Sequence, residues 1–153
     1  MELRQELTLV PCAGVEVVKH RKIYLVKPID NEVAIYIVRD ILVEAGFRVV
    51  DEFTVATAAS ELATNILRYA GKGTLEISVI RNPGGSVGAE LFASDSGPGI
   101  DDLDAAMHDH HSSTQNSLGS GLPGVKRMMD EFTIETVLGQ GTRVRARKWK
   151  LYA

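Results

Sequence analysis

"NILRYAGKG", residues 65–73, decides how this chain folds. It reads as the close of a helix: an apolar pair, an arginine, a tyrosine, then two glycines around a lysine. Working back at about 100° per residue, Val55, Ala59, Leu62 and Ile66 fall on one narrow stripe, which is expected to face a sheet. Glu61, Asn65 and Arg68 gather on the neighbouring flank, because steps of three and four share a helix face. Polar groups beside the buried stripe, and not opposite it, mark a helix that borders a cleft. The plain alternative is a charged helix edge, with Glu61 paired to Arg68 or Arg39.

Outward from that helix the pattern alternates between the two regular elements. Residues 1–10 and 15–26 predict strands, parted by "PCAG". Asp30 is a natural cap for a helix over 31–45, with Gly46 just beyond its end. Asp51 caps the second helix, which runs to Tyr69. Strands at 74–81 and 87–94 flank "NPGGS", whose turn chemistry makes them a hairpin. A short helix is expected over 101–108, a polar loop over 109–121 and a helix over 122–131. Strands at 132–138 and 142–149 follow, joined by "GQG". The order is ββααββααββ. It predicts an α/β (α+β) two-layer sandwich: a mixed, mostly antiparallel sheet with helices on one face. No linker divides the 153 residues, so one domain is expected.

Composition narrows the function. The chain is 44% hydrophobic and 24% charged, ordinary for a globular protein. A net charge of −3 gives no basic footprint for nucleic acid. The single cysteine, Cys12, has no partner for an internal disulfide, which suits a reducing cytoplasm. "MELRQELTLV" is charged from its second residue, unlike a signal peptide. "VAIYIV" (33–38) is too short to span a bilayer. The basic run at 19–22 reads as a solvated face. So does "RVRARKWK" (143–150), where Arg143, Arg145 and Arg147 share one strand face and Val144 and Ala146 the other. An acidic partner docking on that edge is the alternative reading.

Two glycine-rich loops stand out. "DSGPG" (95–99) follows an apolar strand and presents Asp95 above a backbone that a ligand can approach closely. Such a carboxylate accepts a hydrogen bond from an exocyclic amine, as on adenine. A tight turn explains the same residues without a ligand. "LGSGLPG" (118–124) runs into a helix, and its amides with the helix N-terminus suit phosphate. Pro123 fits the first turn of that helix. The motif lacks the G-K-[ST] of a Walker A loop and the βαβ context of a Rossmann loop.

Taken in order, Glu61 and Asn65 on a helix, "DSGPG", "GSGL" and "GQGT" resemble the N, G1, G2 and G3 boxes of the GHKL ATPase/kinase superfamily. The fold this implies is the Bergerat ATP-binding fold. "SELATNILRYAGKG", "SDSGPGI" and "LGSGLPGVKRMMDEF" are most similar to the RsbT-type switch kinases. The resemblance is strong over 58–149, looser over 23–57 and absent before about 20, so residues 1–20 read as an extension.

The resemblance implies ATP and Mg²⁺ as cofactors. It makes Glu61 the general base and Asn65 a Mg²⁺ ligand. Asp95 would read adenine, with Gly97, Gly99 and Ile100 beside it. Gly119, Ser120, Gly121 and Leu122 would form the lid over the triphosphate. Thr142 would lie near adenine, and Arg68 and Lys72 could neutralise phosphate charge. It also implies STAS-domain scaffold proteins as substrates and a PP2C-type phosphatase as downstream effector, with neither membrane nor nucleic acid as partner. Two rivals stand beside it: an anti-sigma-factor kinase binding a sigma subunit, and a non-catalytic nucleotide-gated binding module. The lid segment "HDHHSSTQNS" departs from the family pattern. His108, His110 and His111 at i, i+2, i+3 suit adventitious metal binding; a solvated lid is the plain reading.

Overall fold

The structure, a computed structural model, describes residues 4–9, 14–108 and 121–152. Six strands form one sheet: β1 (Arg4–Leu9), β2 (Glu16–Leu25), β3 (Gly73–Arg81), β4 (Val87–Asp95), β5 (Glu131–Val137) and β6 (Gly141–Trp149). Their order across the sheet is β1-β5-β6-β4-β3-β2. Every pairing is antiparallel, so the sheet has no parallel component among the described residues. The helices α1 (Ile29–Glu44), α2 (Val49–Asn65), α3 (Leu103–Ala106) and α4 (Gly121–Met128) complete the second layer.

Strand alternation explains why the helices gather on one face. Val144, Ala146, Ala93, Leu91, Leu75, Ile77, Phe132 and Ile134 are buried and share that face. The α2 stripe of Val55, Ala59, Leu62 and Ile66 is buried in the same core, as its spacing requires. The 82–86 turn closes the β3–β4 hairpin: the Asn82 side-chain oxygen accepts from Ser86 N at 2.8 Å.

The helix starts differ from the expected caps. Helix α1 begins at Ile29 after an N-cap at Pro28, so Asp30 lies in its first turn. Its Oδ2 instead accepts from the backbone amides of Val26 and Lys27, both at 2.8 Å, pinning the chain that enters the helix. Backbone carbonyls take the place of a side-chain cap: Asp30 N donates to Lys27 O at 2.9 Å and Asn31 N to Pro28 O at 3.2 Å. Helix α2 starts two residues before Asp51, which sits in the first turn, where a carboxylate still complements the helix dipole. At the other end of α1, Gly46 adopts φ +81° just past the last turn, as expected of a stop.

The close of α2 also differs. Residues Ile66–Ala70 form a π turn, not a continuation of the α-helix to Tyr69. A π turn widens the coil by one residue per turn and is frequent at functional sites. The open sheet face departs from expectation as well. Arg147 is not solvated: it is 7% exposed, with Glu90 and Glu131 on either side at 8% each.

Candidate functional site

The site lies where α2, the loop after β4 and the start of α4 meet. Helix α2 carries Glu61 and Asn65, both half-buried on its exposed-side flank. The bland pairing of Glu61 with Arg39 is not formed, because Arg39 Nε donates to Glu52 Oε1 at 2.7 Å. Glu61 Oε2 instead accepts from Gly121 N at 3.1 Å. Gly121 is the first residue of α4, so a carboxylate from α2 satisfies an otherwise orphan amide at that N-terminus. Gly121 and Leu122 are thereby brought to Glu61. Gly119 and Ser120, with His110 and His111, lie outside the described residues. His108 is described, and its Nδ1 lies 2.6 Å from Asp104 O. No group of three or more potential metal-ligating side chains occurs among the described residues.

Asp95 ends β4 on the helix-covered face, half-buried. Its Oδ1 accepts from Gly97 N at 2.9 Å. Burial raises its pKa above the usual aspartate value, against the backbone amides of Gly97 and Thr142, which lower it. The loop it opens packs against the C-terminal end of the helical segment that begins with α2: a Cβ on Gly97 would stand 2.6 Å from the Cβ of Ala70, the last residue of the π turn. At Gly99 an added Cβ would stand 2.7 Å from the Val137 carbonyl oxygen, so both glycines also let the loop pack closely on its protein neighbours.

The π turn redirects the residues beyond it. Arg68 is exposed, its guanidinium carbon 5.9 Å from the Tyr69 ring centroid. Lys72 is also exposed. Arg68 lies within the π turn and Lys72 just beyond it, whereas Glu61, Asn65 and Asp95 are half-buried.

Sequence reasoning missed a row of polar residues crossing the sheet at the site's end. Asp95 pairs with Thr142, Thr142 with Thr136, and Thr136 with Gln5. Thr136 is 1% exposed. Its hydroxyl lies 2.9 Å from that of Thr142 and accepts from Ile100 N at 2.8 Å. Ile100 thus enters the site through its backbone, while its side chain packs on the core. The available signal was parity: Thr136 occupies the same side of its strand as Phe132 and Ile134, where a core residue belongs. Gly141, also missed, crosses Asp95 so closely that a Cβ there would stand 2.0 Å from the Asp95 carbonyl oxygen. With φ +128°, only glycine fits.

The structure thus sets a half-buried carboxylate and a hydroxyl side by side where β4 ends and β6 begins, and a second carboxylate on α2 against the first amide of α4. The sequence profile of the histidine kinase-like ATPase domain matches residues 28–148. The chain is a member of the histidine kinase-like ATPase family. Among curated proteins it is 48% identical over 111 residues to the serine/threonine-protein kinase RsbT of Bacillus subtilis (strain 168), covering 72% of this chain and 82% of that one. That relationship makes it an RsbT-type serine/threonine-protein kinase within the family.

Two solved structures share the fold. One holds the RsbU and RsbW domains of a Mycobacterium tuberculosis protein, at TM-score 0.54 and 14% identity, over 85% of this chain and 33% of that one. The other is the SiaB–SiaC complex of Pseudomonas aeruginosa, also at TM-score 0.54 and 14% identity, over 86% and 90%. No described helix is long and apolar enough to cross a membrane.

Proposed function

We propose that this chain is a single kinase domain spanning residues 1–153, which transfers the γ-phosphoryl group of Mg²⁺-ATP to a serine or threonine of a STAS-domain scaffold protein. Released from that scaffold, it would activate a downstream effector, such as a PP2C-type phosphatase, in the cytoplasm. The physical logic is a partner switch: added phosphate charge at an interface changes which complex is populated. The observation that carries the reading is the contact of Ala70 with Gly97, together with the Gly121–Glu61 hydrogen bond. They support a reading in which the Asp95 loop and the start of α4 flank the two ends of the segment that carries Glu61 and Asn65.

From Glu61 to Ala70 the helix climbs roughly 13 Å at its usual rise, room for a base at one end and phosphates at the other. The residues fit such a nucleotide. Asp95 retains acceptor capacity for an exocyclic amine after accepting from Gly97 and Thr142, because a carboxylate has about four lone-pair sites. Thr142 is its immediate neighbour. Asn65 offers an amide oxygen, a hard donor suited to Mg²⁺. Bound Mg²⁺-ATP supplies the electrophilic phosphoryl group and the charge that holds it.

Glu61 then has one task, to accept the proton of the incoming hydroxyl, which a carboxylate with about four lone-pair sites can do while its Oε2 holds the Gly121 amide. The N-terminus of α4 is the end of that helix suited to anionic oxygens. Arg68 and Lys72, being exposed, act as a distant charge and not as clamps.

The test is transfer from labelled ATP with Mg²⁺ to a STAS-domain protein encoded beside this chain. Wild type should label it, and Glu61→Gln should lose roughly 100- to 10,000-fold in rate while still binding ATP. Labelled-ATP uptake without transfer to any STAS protein would favour the nucleotide-gated binding module. Selective binding of a sigma subunit would favour the anti-sigma-factor reading.

A further inference from the structure

The matched family profile begins at residue 28, so β1 lies outside it. Yet β1 reaches the site. Gln5 is the outermost member of the polar row Gln5–Thr136–Thr142–Asp95. Its Nε2 donates to the carbonyls of Ile100 at 3.2 Å and Asp101 at 3.3 Å, and its Oε1 accepts from Leu103 N at 3.1 Å. The three contacts fix the amide's orientation, since a flip would set oxygen against carbonyls and NH₂ against an N–H. Thr136 holds the other side of the same residue, taking the Ile100 N–H. The peptide that links the Asp95 loop to α3 is therefore gripped by two side chains from different strands. Downstream of it Asp102 caps α3, its Oδ1 accepting from Ala105 N at 3.1 Å, and the chain then enters 109–120.

We propose that Gln5 is a positioning residue for nucleotide binding: through β1, the N-terminal extension holds residues 100–103 and so sets the adenine side of the pocket and the root of the following loop. Gln5 does not touch the reacting groups. It acts by limiting where the Asp95 loop can go. The segment 97–103 is tethered at one end by Asp95 and Gly97. Removing the Gln5 grip leaves Thr136 as the side-chain tether at Ile100 among the described residues, and the pocket must then order itself on binding. This inference rests on the ATP-binding reading above, but its structural half can be judged without nucleotide.

The experiment compares wild type, Gln5→Ala, Gln5→Glu and Arg4→Ala as full chains. Gln5→Glu keeps the shape and the acceptor for Leu103 but sets a carboxylate against two carbonyls. Arg4 lies on the opposite face of the same strand, paired with Glu135, and controls for loss of the strand itself. Hydrogen exchange at the Leu103 amide should quicken at least tenfold in both Gln5 variants and stay near wild type in Arg4→Ala, with core amides such as that of Ile77 unchanged. Calorimetric Kd should rise about fivefold or more for ATP and ADP alike in the Gln5 variants, the size of losing one or two net hydrogen bonds.

Unchanged exchange at Leu103 overturns the clamp. Faster exchange with an unchanged Kd overturns the positioning role, as does an equal Kd rise in Arg4→Ala. Wild type binding neither nucleotide would strike the functional reading, and exchange alone would then decide whether the clamp exists.

Discussion

Two rows of side chains cross the same strands on opposite faces of the sheet, and both are polar. On the helix-covered face, Gln5, Thr136, Thr142 and Asp95 stand side by side at the site. On the open face, Glu131, Arg147 and Glu90 do the same. Arg147 Nε donates to Glu90 Oε2 at 2.8 Å, its Nη1 lies 3.5 Å from Glu131 Oε1, and Trp149 Nε1 donates to Glu131 Oε2. Charges on the open face answer one another within the row. Groups on the covered face spend their hydrogen bonds on the Asp95 loop. Polar burial thus does two jobs here: one row closes on itself within the sheet, the other holds the backbone of the loop that follows β4. The neighbouring row on the covered face is apolar and buried: Ile134, Val144, Ala93 and Leu75.

The contrast can be broken by mutation. The largest effect belongs to the open face. Arg147→Ala removes the guanidinium shared by two buried carboxylates, leaving Glu90 with Arg145 at 3.6 Å and Glu131 with Trp149, and urea denaturation should show a loss of about 3 kcal/mol. ATP affinity of the folded fraction should not change; a large loss of affinity would merge the two rows into one function. Asp95→Asn should do the reverse. ATP affinity measured by calorimetry should fall by roughly 10- to 100-fold, the worth of a hydrogen bond to a charged group.

Stability of that variant should hold or rise, because ionised Asp95 is disfavoured by burial. The pH dependence follows from the same direction. A raised carboxylate pKa means that Asp95 favours the fold most below its unfolded value, 3.8, and that this contribution is lost as pH rises through the folded value. Nucleotide binding, which needs the ionised acceptor, should therefore begin to fail on acidification at a higher pH than an ordinary aspartate would allow. An ATP titration series across acidic pH, wild type against Asp95→Asn, separates the two. The smallest effect is Thr136→Val, nearly isosteric, which orphans the Ile100 amide. It should cost about 1 kcal/mol and quicken exchange at Ile100 without touching the open face.

Much of this was legible in the sequence, for reasons of range. The α2 stripe and its polar flank come from a 3.6-residue period that lies within one element. The 82–86 hairpin and the Gly46 stop come from residues acting on their own backbone. Asp95 was found because it follows an apolar strand and precedes two glycines. Thr136 and Gln5 were not found, because their neighbours are set by the strand order β1-β5-β6-β4, which no local pattern states. Nor could charge alone reveal the burial of Arg147. Its partners Glu90 and Glu131 come from strands 57 and 16 residues away in sequence. The π turn was invisible because nothing in "ILRYA" distinguishes five residues per hydrogen-bonded turn from four. Arg68 lies within that turn and is exposed.

The account stands on Glu61, Asn65 and Asp95 bordering one nucleotide site on the covered face of the sheet. An NMR titration of the full chain with Mg²⁺-ATP tests this directly. Amide shifts should concentrate at residues 61–72, 95–103, 121–123 and 142, and leave Glu90, Phe92, Arg145 and Arg147 still. Shifts centred on the open-face row, with Asn65 and Asp95 unmoved, would contradict it.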